Sequence, residues 1–235
     1  RWTGSIRVST YGDLVFVGLA ENSDNQVLHL GNGTVNVQQG VSTSVTIATG
    51  TVSTVRGMRG PAGGWIFYAK DDYSDGWRFM ETAPAGWGGG TEDPTYVFGY
   101  YRPAGTNDMV GTATGIGNGK ANTAALVAAM GDDAYNTEEG TTKSAYAAKV
   151  CADYSVTVNE ITYDDWFLPS QDELKLMWQN LHKRSLGGFT TDKYYRSSSE
   201  SDEIRVSSQM FLATVVDIKY VFRYYSYRVR PVRSF

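Results

Sequence analysis

The 235-residue chain holds one cysteine, Cys151, and two histidines, His29 and His182. A lone cysteine excludes an internal disulfide framework and a cysteine-based zinc site. The histidines stand far apart without a shared motif, so each reads as a surface or packed side chain rather than a ligand or base. There is no P-loop, G-x-S-x-G elbow, H-E-x-x-H helix or EF-hand loop. No apolar run approaches the length needed to span a bilayer. Arg1-Trp2-Thr3 has neither the charged start nor the apolar core of a signal peptide, which leads us to expect a leader that was removed or never existed. The formal net charge of −4 argues against a general nucleic-acid binder.

What is present is unevenly spread. Residues 196–235 carry six arginines and Lys219 against Glu200, Asp202, Glu203 and Asp217, a local excess of +3 that leaves the remainder at −7. A basic, aromatic end, VVDIKYVFRYYSYRVRPVRSF (215–235), follows an acidic body. Its composition poses three options: a buried strand, a basic tail for nucleic acid, or a surface that grips a partner.

Residues 5–56 read as strands. IRVST, DLVFVGL, QVLHL and VNVQQGVSTSVTIATG combine β-branched residues with partial alternation, punctuated by the turn signals SDN and GNG. The glycines and Pro61 of GMRGPAGG (57–64) predict a hinge. WIFYAK and GWRFMETA then read as two short strands joined by DDYSDG. GKANTAALVAAM (119–130) predicts a helix with Asn122 or Thr123 as its cap. KSAYAAKVCADY (143–154) predicts a second, with Ala145, Ala148, Val150 and Cys151 on a buried face, which makes Cys151 a packed thiol. In LPSQDELKLMWQNLHK (168–183), Ser170 and Glu173 form a capping box, and Leu174, Met177, Trp178 and Leu181 form a core-facing stripe. From Tyr194 onward the chain reads as strands. The order of elements predicts an α+β architecture, two or three helices on a mostly antiparallel sheet.

The remaining candidates for chemistry have plainer explanations. TGIGNGK (114–120) lacks the spacing and preceding strand of a phosphate loop and reads as a turn into a helix. Asp132, Asp133, Glu138 and Glu139 read as a solvated loop rather than a calcium site. Asp164-Asp165 and Asp172-Glu173 are possible acid–base pairs, but Glu173 already serves as a cap. We expect no catalytic residue, no metal and no cofactor.

Seven segments together carry a family likeness: GGWIFY (63–68), SDGWRFMETAP (74–84), GTATGIGNGKANT (111–123), YAAKVCADYSV (146–156), DDWFLPSQDELKLMWQNL (164–181), YYRSSSE (194–200) and YRVRPVRSF (227–235). Residues 61–235 resemble the DUF1566 family of bacterial surface domains. The resemblance implies a C-type lectin fold of the formylglycine-generating-enzyme type, following a small N-terminal β-domain or spacer at 1–60. Some members of this group, a treponemal one included, are variable proteins of diversity-generating retroelements, whose asparagine codons near the gene's end are randomised at adenines. The resemblance implies a lipid-anchored receptor on the bacterial surface, an outer-membrane lipoprotein anchored upstream of Arg1. It would act as a monomer, with no nucleic-acid partner, on an unknown protein or other macromolecule of a host or neighbouring cell.

Adenine mutagenesis of an asparagine codon reaches every residue type except Lys, Gln, Glu, Met and Trp. All six tryptophans lie at or before Trp178. Glu203, Gln209, Met210 and Lys219 would then be fixed. Arg196 stands where the family has Trp in a Y-W-S-S-S-E pattern. Period-2 alternation holds from Tyr227 to Arg230 but fails upstream, where Val221 and Tyr225 interrupt the parity of Ile218, Tyr220, Phe222 and Tyr224. That irregularity predicts an exposed binding patch within a variable region of about 196–225. Its leading anchors are Tyr220, Phe222, Arg223, Tyr224 and Tyr225, residue types that supply stiff contact area and forked hydrogen bonds. Ile204, Arg205, Val206 and Leu212 would form a neighbouring wall, and Arg196, Asp202, Ser208, Ala213, Val215, Val216, Asp217, Ile218 and Val221 complete the set. SSSE (197–200) and RVRPVR (228–233) would be scaffold, with Glu200 paired to Arg228 or Arg230.

Four other readings compete. A calcium-independent sugar-binding lectin is one, since tyrosines stack on sugars while the E-P-N, Q-P-D and W-N-D signatures are lacking. A non-diversified surface adhesin is another. An enzyme of the formylglycine-generating kind would need a cysteine pair near the C-terminus, and Cys151 is alone. Single-stranded nucleic acid would suit interleaved aromatics and arginines but not the acidic body.

Overall fold

The computed structural model describes residues 12–21, 27–37, 55–100, 109–132, 134–135, 142–143 and 145–235, the strands before residue 40 and those between 133 and 144 by their backbone alone. The chain divides into two compact units, Arg1–Val55 and Arg56–Phe235. It is a mixed α+β protein, rich in sheet with few helices.

In the first unit β1 (Gly12–Glu21) pairs antiparallel with β2 (Val27–Val37). SDN lies outside the described residues, as do IRVST and everything after Val37 up to Thr54. GNG is not a turn. It falls inside β2, Gly33 opposite Phe16, next to a register shift between Val17 and Leu19. Glycine inside a strand commonly marks such a bulge.

The expected hinge at 57–64 belongs to the second unit and is tied into it. Gly57 N–H donates to Ile66 O at 2.7 Å, and Ala62 and Gly64 N–H donate to the Glu81 carboxylate at 3.1 and 3.2 Å. A Cβ on Gly64 would stand 1.6 Å from Thr82 O, so the backbones touch only because glycine is there.

The second unit is built on two sheets. β3 (Ile66–Ser74), β4 (Trp77–Thr82) and β14 (Val232–Ser234) form one, in the order β14-β4-β3. The other runs β12-β11-β10-β13-β5, from β5 (Thr95–Tyr96), β10 (Tyr194–Glu200), β11 (Arg205–Phe211), β12 (Val216–Phe222) and β13 (Tyr227–Arg228). Its pairs are antiparallel except β10 with β13, which meet in parallel at Tyr195 and Arg228. Two small hairpins, β6 (Ala134–Tyr135) with β7 (Thr142–Lys143) and β8 (Val156–Val158) with β9 (Ile161–Tyr163), stand outside these sheets.

Helix α1 (Gly119–Met130) has the predicted limits but not the predicted cap, which is Asn118. Asn122 is buried one turn in. It accepts from Ala113 N–H at 2.9 Å and donates to Ser198 Oγ at 3.0 Å, stitching the helix to β10. Helix α2 (Ala147–Ala152) starts later than predicted, because Tyr146 is extended and sends its hydroxyl to Gly131 O at 2.7 Å. Helix α3 (Gln171–Asn180) carries the full capping box. Its Leu174, Met177 and Trp178, with Leu181 just beyond, pack on Phe67, Met80, Phe167, Tyr195, Phe211 and Val232. Each such side chain contributes about 2 kcal/mol of burial. A second cluster joins Phe98, Leu126, Tyr146, Cys151, Leu168, Val206 and Val229.

Candidate functional site

Hairpin β11–β12 carries most of the predicted ligand-binding residues, with β12 at the sheet's end. Leu212, Ala213, Val215 and Val216 lie at its turn, where Trp178 Nε1 donates to Leu212 O at 2.8 Å. Ile204, Phe222, Tyr224 and Tyr225 lie at its other end, a strand length or about 20 Å away. The predicted set therefore does not form one compact site. Asp217, Ile218, Tyr220 and Val221 lie between, with Tyr220 55% exposed and Asp217 paired to Lys219 at 3.4 Å. Asp202 shapes the loop before β11, accepting from Ile204 and Arg205 N–H at 3.0 and 2.7 Å and pairing with Arg205 Nε at 2.9 Å.

Four predicted contact residues are sealed in the fold. Arg196, Val206, Ser208 and Arg223 have no exposed surface, so none touches a ligand on this face. Val206 joins the core cluster of Phe98 and Leu168. Arg223 pairs with Glu200 at 3.0 Å, both side chains fully buried, and this replaces the expected pairing of Glu200 with Arg228 or Arg230. The other carboxylate bonds of Glu200 come from Val110, Gly111 and Thr112 N–H, at 3.0, 2.9 and 3.2 Å, and from the Thr112 hydroxyl at 3.3 Å. Arg228 instead binds Glu92 at 2.5 Å, and Arg230 grips Asp93 through two bonds at 2.6 and 2.8 Å. Arg233 holds Asp165 at 2.6 Å and Glu81 at 2.9 Å, which explains Asp165 as an ion-pair partner. The scaffold role expected of 228–233 is thus carried by acids on distant segments.

The aromatic rings form a run that sequence reading did not fully anticipate. Phe222 stacks on Tyr224 at 5.2 Å, Tyr224 meets Tyr225 edge-on at 4.7 Å, and Tyr225 approaches Tyr227 at 6.3 Å. Tyr227 in turn meets Tyr194 at 5.3 Å. Tyr225 is 46% exposed. Tyr194 and Tyr227 were missed because their meeting depends on the parallel β10–β13 contact, which no local pattern signals. Beside them lies a shallow cleft of about 270 Å³, lined in part by Asp192, Lys193, Tyr194, Ser226, Tyr227 and Arg228.

Arg196 lies under this run. Its guanidinium stands 4.7 Å from the Tyr227 ring centre and donates to Ser208 Oγ at 3.2 Å and to Tyr225 O at 2.5 Å. It forms no ion pair among the described residues, and burial pushes its pKa down to about 9. Tyr227 is pushed up, mainly by burial.

Other candidates resolve into structure. The amides of Gly117 and Gly119 in TGIGNGK donate to Glu173 Oε1 at 2.8 and 3.3 Å, so the carboxylate of the cap takes the place a phosphate would need. Asp132 pairs with Lys149 at 3.1 Å, while Asp133, Glu138 and Glu139 lie outside the described residues. Cys151 is buried and its thiol is pushed well up by burial. His182 packs on Phe211 at 5.3 Å, and burial lowers its pKa. The side chain of His29 is outside the description. Neither a scan against protein-family models nor a search of the curated proteins finds a match for this chain.

Proposed function

We propose that this is a surface-displayed, non-enzymatic ligand-binding protein. Its second unit would be a C-type lectin fold of the formylglycine-generating-enzyme type, its C-terminal residues diversified by a retroelement. It would be held by a lipid anchor on a bacterial outer surface. The observation that carries this reading is the run of rings from Phe222 to Tyr225, extended by Tyr227 and Tyr194, together with the half-exposed Tyr220. Tyrosine and phenylalanine give large contact area at low entropic cost, as in evolved binding surfaces. The framework beneath is fixed by ion pairs, so side chains above it are able to change.

On this reading diversification falls on Asp202, Ile204, Arg205, Leu212, Ala213, Val215–Ile218, Tyr220–Phe222, Tyr224 and Tyr225. Sequencing the gene across independent isolates tests it. Amino-acid changes confined to these positions support a diversified receptor, whereas scattered, mostly silent changes point to an ordinary adhesin. The exposed ring of Tyr225 also suits a sugar face. Glycan-array binding that persists without calcium would favour that second reading.

A further inference from the structure

Three ends of the two main sheets are blunted in the ways proteins commonly use. β5 and β14 are only two and three residues long, and β3 breaks register twice against β4. The fourth end, β12, is not blunted. It runs for seven residues without proline or glycine and pairs with β11 from Val216 to Phe222 without a shift. The bond from Arg223 N–H to Ile204 O sets its parity. Residues 217, 219 and 221 aim their backbone groups at β11, and 216, 218 and 220 aim theirs away from the sheet. Among the described residues nothing bonds those outward groups of Val216, Ile218 and Tyr220. Donors and acceptors spaced in this way are matched by another extended strand.

We propose that this strand is β12 of a second copy of the chain, laid antiparallel with a two-fold axis at Ile218. In that register Ile218 meets the partner's Ile218, and Val216 meets the partner's Tyr220, as hydrogen-bonded pairs. Asp217 meets the partner's Lys219, and Lys219 the partner's Asp217, at the closer positions between them. The Asp217–Lys219 pair within one chain, 3.4 Å apart, becomes one side of a square of alternating charge. Moving the axis by one residue sets Asp217 against Asp217 or Lys219 against Lys219, so the charges select one register. The contact is isologous and closes as a dimer. It also brings together what one chain keeps apart. The ring end of each copy, Phe222 to Tyr225, comes beside the turn end of the other, Leu212 to Val215. The inference departs from the monomer that the family resemblance implies and does not rest on the receptor reading.

Sedimentation equilibrium of the full chain from about 1 μM to about 500 μM tests the pairing, a range suited to a narrow, reversible contact. A monomer–dimer equilibrium with its midpoint inside that range is expected. Lys219→Glu should weaken the dimer about tenfold or more, and adding Asp217→Lys to it should restore the affinity by reversing both charges. Both positions lie on the surface, so the variants keep the fold. Amide hydrogen exchange at Ile218 and Tyr220 should slow as the protein concentration rises. A monomer throughout the range overturns the pairing. So does a dimer indifferent to Lys219→Glu, one that the double variant fails to restore, or one that leaves exchange at Ile218 and Tyr220 independent of concentration. The receptor reading is judged separately, by the pattern of variation among isolates.

Discussion

Replacing Arg196 with methionine should make the protein more stable. In the fold the Arg196 guanidinium is held at about 9 against an ordinary 12.5, a burden of about 5 kcal/mol on the charged form. Its bonds to Ser208 Oγ and Tyr225 O offset about 3 kcal/mol of that. Methionine fills much of the same volume without charge. Tyr225 is exposed, so its carbonyl finds water, and the Ser208 hydroxyl is able to rotate. The net expectation is a gain of about 1–2 kcal/mol, in the lower part of the range for replacing buried charges with apolar groups. For a domain of this size that is about 2–8 °C in Tm. Urea denaturation of wild type and Arg196→Met at pH 7 measures it directly. A loss exceeding 1 kcal/mol would mean that the hydrogen bonds outweigh the desolvation, and the premise of an uncompensated charge would fail. Alanine is the wrong probe, because it adds a cavity to the comparison.

Three further expectations follow from the same geometry. Glu200→Ala should cost about 3–5 kcal/mol in denaturation, since it strands Arg223 and three amide donors at 110–112; a cost below 1 kcal/mol would disprove the buried pair. Glu173 is raised by burial to about 7, and as an acid raised on folding it stabilises fully below 4.5 and loses that contribution as pH climbs through 7. The stability of wild type relative to Glu173→Gln should therefore fall by about 3 kcal/mol between pH 4.5 and 8, and a flat difference refutes the assignment. Tyr220→Ala and Tyr225→Ala should leave the midpoint of unfolding within about 0.5 kcal/mol of wild type, yet reduce binding to any cell-surface partner about tenfold or more.

Local signals were read well where the chain writes them locally. The capping box at Ser170 and Glu173, the stripe from Leu174 to Leu181 and the limits of α1 all depend on neighbours within a few residues. What failed was non-local. Arg223 reads as a displayed arginine until Glu200, two strands away across the sheet, is known to be its partner. Arg196 sits in a strand whose two faces are both covered, so its charge gave no warning of burial. Asn122 resembles a helix cap by type, but its real work is to bridge α1 and Ser198. Tyr194 and Tyr227 belong with the aromatic run only through a single parallel contact. Patterns within one strand therefore located the exposed rings, while the charges beneath them required the fold.

The segment from Ser201 to Ser226 is clamped at both ends. Before it, Glu200 is pinned by amides of a distant loop; after it, Arg228, Arg230 and Arg233 dock into Glu92, Asp93, Asp165 and Glu81. Such a stretch behaves like a cartridge seated between fixed pins. Most of its outward side chains are interchangeable without disturbing the pins, and Arg223, which reaches back to Glu200, is the keyed tooth that every cartridge must keep.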